Sequence, residues 1–510
     1  MANNLLRVTG MISGMDTESI ISMYSSKAKK NLDTAKGKKQ LNNWTQDAWK
    51  DLNTKIYSFY SKTLSANRMS AAYKKTKTTT SDDALSVTTG SGAPQGTQSV
   101  KIGSMATSAY LTGGAVKTTD GDSSELKSSD NLSARLGIGE GTQLSFKLGD
   151  GAEKKIQIGG SSDDENVTVV NTMDELTSAL KKAGVNASFD EANQRLFVSS
   201  KTTGEKNNFT FTSNDTQVLT KLGIEGTGSH MERGRSAKLT LNGAEFTSET
   251  NSFTINGSTY TINHEPTDKD KTITVNTTTD YDGIYDTVKS MLKEYNALVN
   301  EMSKLYNADS AKGYDPLTDE QKEEMTEKEI EDWENKIKGA LLKGDGTLGD
   351  VMNAITNTTN SAITVNGKAM YLTDFGISTQ SYFAAEVNER YALHIDGDTD
   401  DEVSASNEDK LKSWIAKDPE AVSDFFSQLS ANLYNNIYKK MSGNSSMSSI
   451  YKVYNDKQLK QESSDWDDKI AALEDKVTEI EDKWYSRFAA METKLAKLQK
   501  NQTAVGGFFG

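Results

Sequence analysis

Three groups of residues in this 510-residue chain have the chemistry for a site. Its three histidines, His230, His264 and His394, lie far apart, and none has a serine or carboxylate partner at a recognisable spacing. A Ser-His-Asp group or a zinc site would have to be assembled in space, and nothing in the spacing recommends one. The acidic run Asp396–Gly397–Asp398–Thr399–Asp400–Asp401–Glu402 is dense enough in carboxylates to attract calcium. An EF-hand loop begun at Asp396 needs glycine at its sixth position and glutamate at its twelfth, where this chain has Asp401 and Asn407, so a solvated acidic loop is the default. Gly344–Asp345–Gly346–Thr347–Leu348–Gly349 has G-x-G-x-x-G spacing, but it follows a helix-like run and not a strand, so the dinucleotide geometry is missing. Cysteine is absent, which removes disulfides, thiolate zinc sites and cysteine nucleophiles together. No catalytic residue, metal ligand or cofactor is expected from these residues, and no enzyme is expected.

The elements carry more information than these groups. From about Lys457 to Lys500 apolar residues fall at Trp466, Ile470, Leu473, Val477, Ile480, Trp484, Phe488, Met491, Leu495 and Leu498. Their steps of three and four make the a/d seam of a coiled coil, with a stutter near Phe488 where the supercoil locally unwinds. A helix of ~45 residues would be a rod of roughly 65 Å, and one such helix cannot bury its own stripe. At the other end, Asp16 or Thr17 can cap a helix whose apolar face holds Ile20, Ile21, Tyr24, Ala28 and Leu32. Gly37 marks a bend or a weak point there, and a second run follows through Leu41, Trp44, Ala48, Leu52, Ile56 and Phe59. The two ends of the chain are therefore the natural partners for each other.

Between them the texture changes. From Lys75 short alternating runs appear, among them Leu85–Thr88, Val100–Ile102, Leu144–Leu148, Ile156–Ile158, Phe209–Phe211, Leu239–Leu241, Thr259–Ile262 and Ile273–Val275. Asn242–Gly243 and Asn256–Gly257 have the sequence of tight hairpin turns, and one helix is expected at Met173–Ala183. Leu136–Gly137–Ile138 echoes Leu222–Gly223–Ile224, as if bracketing one subdomain inside another. Helices return at Gly283–Asn307, Asp319–Lys338 and Asn407–Tyr438. The fold class is α+β: an elongated multidomain chain, with a helical, coiled-coil stem built from both termini and a nested β-rich insertion.

Lys and Arg number 58 against 72 Asp and Glu, a net charge of −14 that is wrong for general binding of nucleic acid, where a basic face must neutralise phosphates. A mean hydropathy of −0.64 is low for one compact globule. No run approaches 18 apolar residues, so no membrane insertion is expected. The start, Met1 to Thr17, lacks the pattern of a secretory signal peptide, which leaves a cytosolic protein or export by a route that uses no cleaved signal.

Several stretches, taken in order, resemble the flagellar filament capping proteins, the hook-associated cap family. They are Ile12–Ser13–Gly14–Met15–Asp16–Thr17–Glu18–Ser19–Ile20–Ile21; Lys38–Leu41, Trp44, Asp47–Trp49 and Leu52–Lys55; Gly96–Thr97, Ser99–Ile102 and Met105–Thr107; the paired Leu-Gly-Ile; Ala237–Gly243 and Asn251 to Ile262; Tyr295–Leu298; Phe375–Ser378; and Asp418–Val422 with Phe425–Phe426. Met11 and Met15 depart from the family pattern, and the Glu320–Lys338 helix and Val505–Phe509 tail look individual.

The resemblance implies a secreted, extracellular structural protein at the flagellum tip, exported through the flagellar type III apparatus. It implies a homo-oligomeric ring, as a pentamer, that promotes insertion and polymerisation of exported flagellin. Partners would be copies of itself, flagellin, the hook-filament junction proteins and an export chaperone before secretion. The domains would be a terminal coiled-coil leg (1–40 and 458–510), a mainly helical stem (41–75 and 276–457), a β-rich head (76–130 and 232–275) and an inner β-rich head (131–231). The contact surface for self-association and flagellin would be Ile20, Ile21, Tyr24 and the ten seam residues Trp466 to Leu498. Helix 17–36, neighbouring subunits and flagellin are the candidate covers for that seam, in that order. Alternatives are a hook-filament junction or flagellin-like structural protein, or an adhesin binding host mucin or glycan through the β-rich head.

Overall fold

The computed structural model describes residues 12–90, 93–121, 124–443 and 446–506. The outermost parts of the expected leg, 1–11 and 507–510, with Met11 and the end of the Val505–Phe509 tail, lie outside the described residues. By contacts the chain divides into two units, Met1–Lys74 with Tyr281–Gly510, and Lys75–Asp280.

The first unit is mainly helical, with two small two-stranded sheets, Ile363–Val365 with Lys368–Met370 and Ile377–Thr379 with Leu393–Ile395. Its first helix runs without interruption from Thr17 to Ser58, capped by Asp16, whose carboxylate accepts from the Ser19 amide, and continues as a π-helical turn, Phe59–Leu64. Gly37 is no bend: the helix passes through it, and a Cβ there would meet only Pro316, at 3.7 Å. Ile21, Ala28, Ala35, Asn42, Trp49 and Ile56 are all buried. That is one residue per heptad over five heptads, so a single stripe faces inward along the helix. Toward the C-terminal end the stripe becomes large. Trp49, Leu52, Ile56 and Phe59 enter a core shared with helices Tyr281–Tyr306, Gly346–Thr359 and Pro419–Lys440.

Two helices expected as single runs are divided. Asp319–Lys338 breaks into Asp319–Glu323 and Glu327–Gly339, because Thr326 and Glu329 form a capping box that starts a new helix. The 407–438 run splits into Lys410–Lys417 and Pro419–Lys440, with Pro419 in the first turn and Asp418 as cap. Proline is pre-organised for a helix start and cannot continue a preceding helix. The last helix spans Asp456–Gly506.

The second unit holds two cores. In the outer one a five-stranded antiparallel sheet is ordered Thr76–Thr80, Ile273–Thr279, Gly96–Ser104, Ala237–Leu241, Ala244–Ser248. It shares buried Val100, Ile102, Leu239, Ile273 and Val275 with Leu85 and Tyr260 of a three-stranded sheet. Both sheets join strands from the two ends of the insertion, so the 110–232 stretch is nested in sequence inside them. The hairpins at Asn242–Gly243 and Asn256–Gly257 carry positive φ at both residues, 50° and 88°, then 46° and 78°. That is the tight-turn geometry their sequence calls for.

The inner core packs two four-stranded sheets and the helix Met173–Lys182 around Leu144, Phe146, Leu176 and Val198. Leu136, Ile138, Leu222 and Ile224 all enter it. Gly137 and Gly223 turn the chain with φ of 58° and 70°, each just after a short helix, so the echo is one turn solution used twice.

Candidate assembly surface

The first and last helices run antiparallel along each other, and their polar contacts fix the register. Lys39 pairs with Asp467, Lys36 with Glu474 at 3.3 Å, and Lys29 with Glu481 at 3.0 Å. Tyr485 donates to the Glu18 carboxylate at 2.7 Å. Nearer the core, Asn42 donates to Glu462 at 3.1 Å and Gln46 to the Leu459 carbonyl at 3.0 Å. Each exposed pair contributes little, but together they permit one alignment only.

The seam is covered incompletely. Val477 and Phe488 are buried, while Trp466, Ile470, Leu473, Ile480, Trp484, Met491 and Leu495 are half-buried and Leu498 is 63 % exposed. On the first helix Ile21 is buried, Ile20 half-buried and Tyr24 47 % exposed. The cause is on the facing stripe, where apart from Ile21 the buried residues from Thr17 to Ala35 are the small Thr17, Ser25, Ala28 and Ala35. Small side chains let the two helices approach but wrap around little of a Trp or Leu. At the stutter the aromatics supply their own contact. Tyr24 stacks on Trp484 with centroids 3.9 Å apart, and Phe488 lies 6.0 Å from Trp484. A large apolar stripe is thus paired on one side and open on the other.

The free end of the pair is closed by a clamp that spacing alone does not reveal. Glu492, only 9 % exposed, accepts from the Ile12 amide at 2.8 Å, from the Ser13 amide at 3.2 Å and from the Ser13 hydroxyl. The Ser13 hydroxyl bond, aided by the two amides, holds the Glu492 carboxyl below its usual range despite burial. Trp44, read as an ordinary core residue, is half-buried, with the Lys338 ammonium 4.8 Å from its ring.

The residues with chemistry resolve into structural contacts. In the acidic run Asp398 and Asp400 both accept from Lys289, at 2.6 Å each, and Asp401 meets His394 at 2.7 Å. Burial works against the Lys289 ammonium, but these two hydrogen bonds outweigh it and push its pKa up. A lysine thus already engages two of the loop's five carboxylates. His264 lies 3.3 Å from Asp83, with Asp82 close enough to share a cation, but Lys271 is already paired with Asp82. Gly346 opens the helix Gly346–Thr359, Asp345 caps it, and Gly349 lies under the Tyr306 ring, so these glycines serve a helix start and a close approach.

Residues 234–500 match the family model for the C-terminus of flagellar hook-associated protein 2, and residues 13–109 match that for its N-terminus. The chain belongs to the flagellar hook-associated protein 2 family. A relative of that name from Halalkalibacterium halodurans is 26 % identical over 279 residues, covering 51 % of each chain. Another, from Thermotoga maritima, is 24 % identical over 342 residues, covering 66 % of this chain and 51 % of the relative. The chain spans about half the length of the curated relatives it matches. Among solved structures, the D1-D2-D3 domains of the flagellar cap protein FliD from Escherichia coli are 20 % identical with a TM-score of 0.49, covering 76 % of this chain and 95 % of that one. The D2-D3 domains of the cap protein from Serratia marcescens are 25 % identical with a TM-score of 0.28, covering 39 % and 99 %. Among the described residues no helix is long and apolar enough to cross a membrane.

Proposed function

We propose that this chain is a structural cap at the distal end of the flagellar filament, outside the cell, where it promotes insertion and polymerisation of exported flagellin. It works by geometry, without covalent chemistry. Copies of the chain form a ring, with five as the expected number, and flagellin and the hook-filament junction proteins are its neighbours. Residues 1–40 and 458–510 act as legs, 41–75 with 276–457 as the stem, and the remaining β-rich segments as outer and inner heads.

The half-open seam carries this reading. Between Ile470 and Leu495 all the large apolar seam residues but Val477 and Phe488 are only half-buried, while the facing stripe, Ile21 apart, is made of small residues. A half-covered apolar stripe of that length is an interaction surface before it is a core. Ile20, Ile21 and Tyr24 extend it on the first helix.

Deleting residues 457–510 in the producing strain tests the proposal. The expected outcome is loss of filament growth, with flagellin released as monomer into the medium. Filaments of normal length from that strain would overturn it.

A further inference from the structure

The unit that holds the legs also carries two aromatic surfaces that neither the seam nor the core uses. The first surrounds the π-helical turn Phe59–Leu64. Tyr57 and Tyr438 stand 5.5 Å and 6.5 Å from Tyr451, and the three rings are 40 %, 43 % and 43 % exposed. Beneath them the hydroxyls of Tyr60 and Tyr434 meet at 2.7 Å, and the Arg68 guanidinium lies 4.1 Å from the Tyr434 ring. Tyr451 has φ of 65°, a conformation that bulky residues avoid. Asn53, 3 % exposed, imposes it: its amide donates to the Tyr451 carbonyl at 3.2 Å and accepts from the Val453 amide at 3.0 Å. A π-turn and a strained tyrosine at one place are features that concentrate at functional sites.

The second surface is the 380–391 loop. Phe383 is 97 % exposed, an extreme value for a large apolar ring, and it meets Tyr382 edge-on at 5.6 Å. The base of this knob is held. Arg390 stacks 3.9 Å over Tyr382 and donates to its hydroxyl at 2.9 Å.

The two surfaces differ in charge. Lys439 follows Tyr438, Lys452 follows Tyr451, and Arg68 lies against Tyr434, so the platform is positive; on the knob exposed Glu386 and Glu389 outnumber Arg390, so it is net negative. We propose that Tyr382 and Phe383 of one copy dock on the Tyr57–Tyr438–Tyr451 platform of the next, a head-to-tail contact between copies of this chain. Tyrosine and arginine are the residue types that dominate interface energetics, and opposite charge on the two patches sets partner and orientation. A contact between two different patches leaves each copy with one of each to offer, which is what a closed ring requires. The proposal rests on the ring reading above.

The absence of cysteine makes the test direct. Full-length Phe383→Cys and Tyr438→Cys variants are mixed and mildly oxidised. A disulfide-linked pair containing one of each is expected, with several-fold less from either variant alone. A Phe383→Ser variant should reduce the assembly toward the 55.7 kDa single chain in light scattering, with its thermal midpoint unchanged. An assembly of unchanged mass without the mixed disulfide overturns this contact and leaves the ring standing. A wild-type chain that stays single at every concentration overturns both. If Phe383→Ser impairs flagellin addition but leaves the mass unchanged, the knob serves another protein and the contact between copies is wrong.

Discussion

At the scale of single residues, buried polar groups hold the unusual backbone in place. Glu492 gathers the Ile12–Ser13 turn onto the last helix, and its carboxyl is held below the usual range by the Ser13 hydroxyl. A depressed carboxyl contributes stability that is present above its unfolded value of about 4.3 and lost as pH falls through the folded one. Glu492→Gln should therefore speed hydrogen exchange of the Ser13–Ile21 amides near neutral pH, and the difference from wild type should fade once the solution is acidic enough to protonate Glu492. Asn53 does comparable work at Tyr451, with both ends of its amide engaged. Asn53→Ala leaves two backbone groups without their partner and should cost about 1–3 kcal/mol in urea unfolding. Neither residue's role is marked by its neighbours in sequence, although Asn53 lies within the Leu52–Lys55 stretch. Their partners lie hundreds of positions away, and local spacing carries no trace of them.

At the scale of elements, the leg is a helix pair whose tightness depends on small residues. Ala35 is 2 % exposed on the stripe facing the last helix. Ala35→Leu should force the helices apart, cost about 1–3 kcal/mol, and show as earlier melting of the leg. Gly37 points the other way. It lies inside a continuous helix with room for a methyl group, so Gly37→Ala should stabilise the first helix by about 0.5–1 kcal/mol in the same melts. Reading Gly37 as a bend follows propensity, and packing overrides propensity when a helix has a partner along its length. The break at Thr326 carries a local signal, T-x-x-E, but the charged run on either side has the same texture and hides it. The Asn-Gly hairpins were legible for the opposite reason. Their turn chemistry is local, and two residues suffice to specify it.

At the scale of the whole molecule, the chain folds as separate cores in nested order. Residues 75–280 hold two hydrophobic clusters of their own, one between the outer sheets and one around the inner sheets and the Met173–Lys182 helix. A fragment of those residues should be soluble and melt cooperatively by circular dichroism. A fragment without tertiary structure would show that the head depends on the helical unit. The legs lie at the other extreme. Their seam is half-covered and their facing stripe is small, so they should open at lower free energy than the core that starts at Trp49, and hydrogen exchange along the first helix should fall from Thr17 toward Ile56.

Much of this protein is written in local pattern. The heptad from Trp466 to Leu498 and the alternating strands between Lys75 and Val275 follow from spacing, because each reflects the periodicity of one element, and the tight Asn-Gly turns follow from the conformational preference of two residues. Tertiary structure decided what spacing cannot. It set a stripe of Ser25, Ala28 and Ala35 against the seam, so that the seam stays half-open. It placed Lys289 in the acidic loop, and it brought Tyr57, Tyr438 and Tyr451 to one surface. Those outcomes depend on contacts between distant segments, whose partners are chosen by the packing of the whole unit and by no window of sequence.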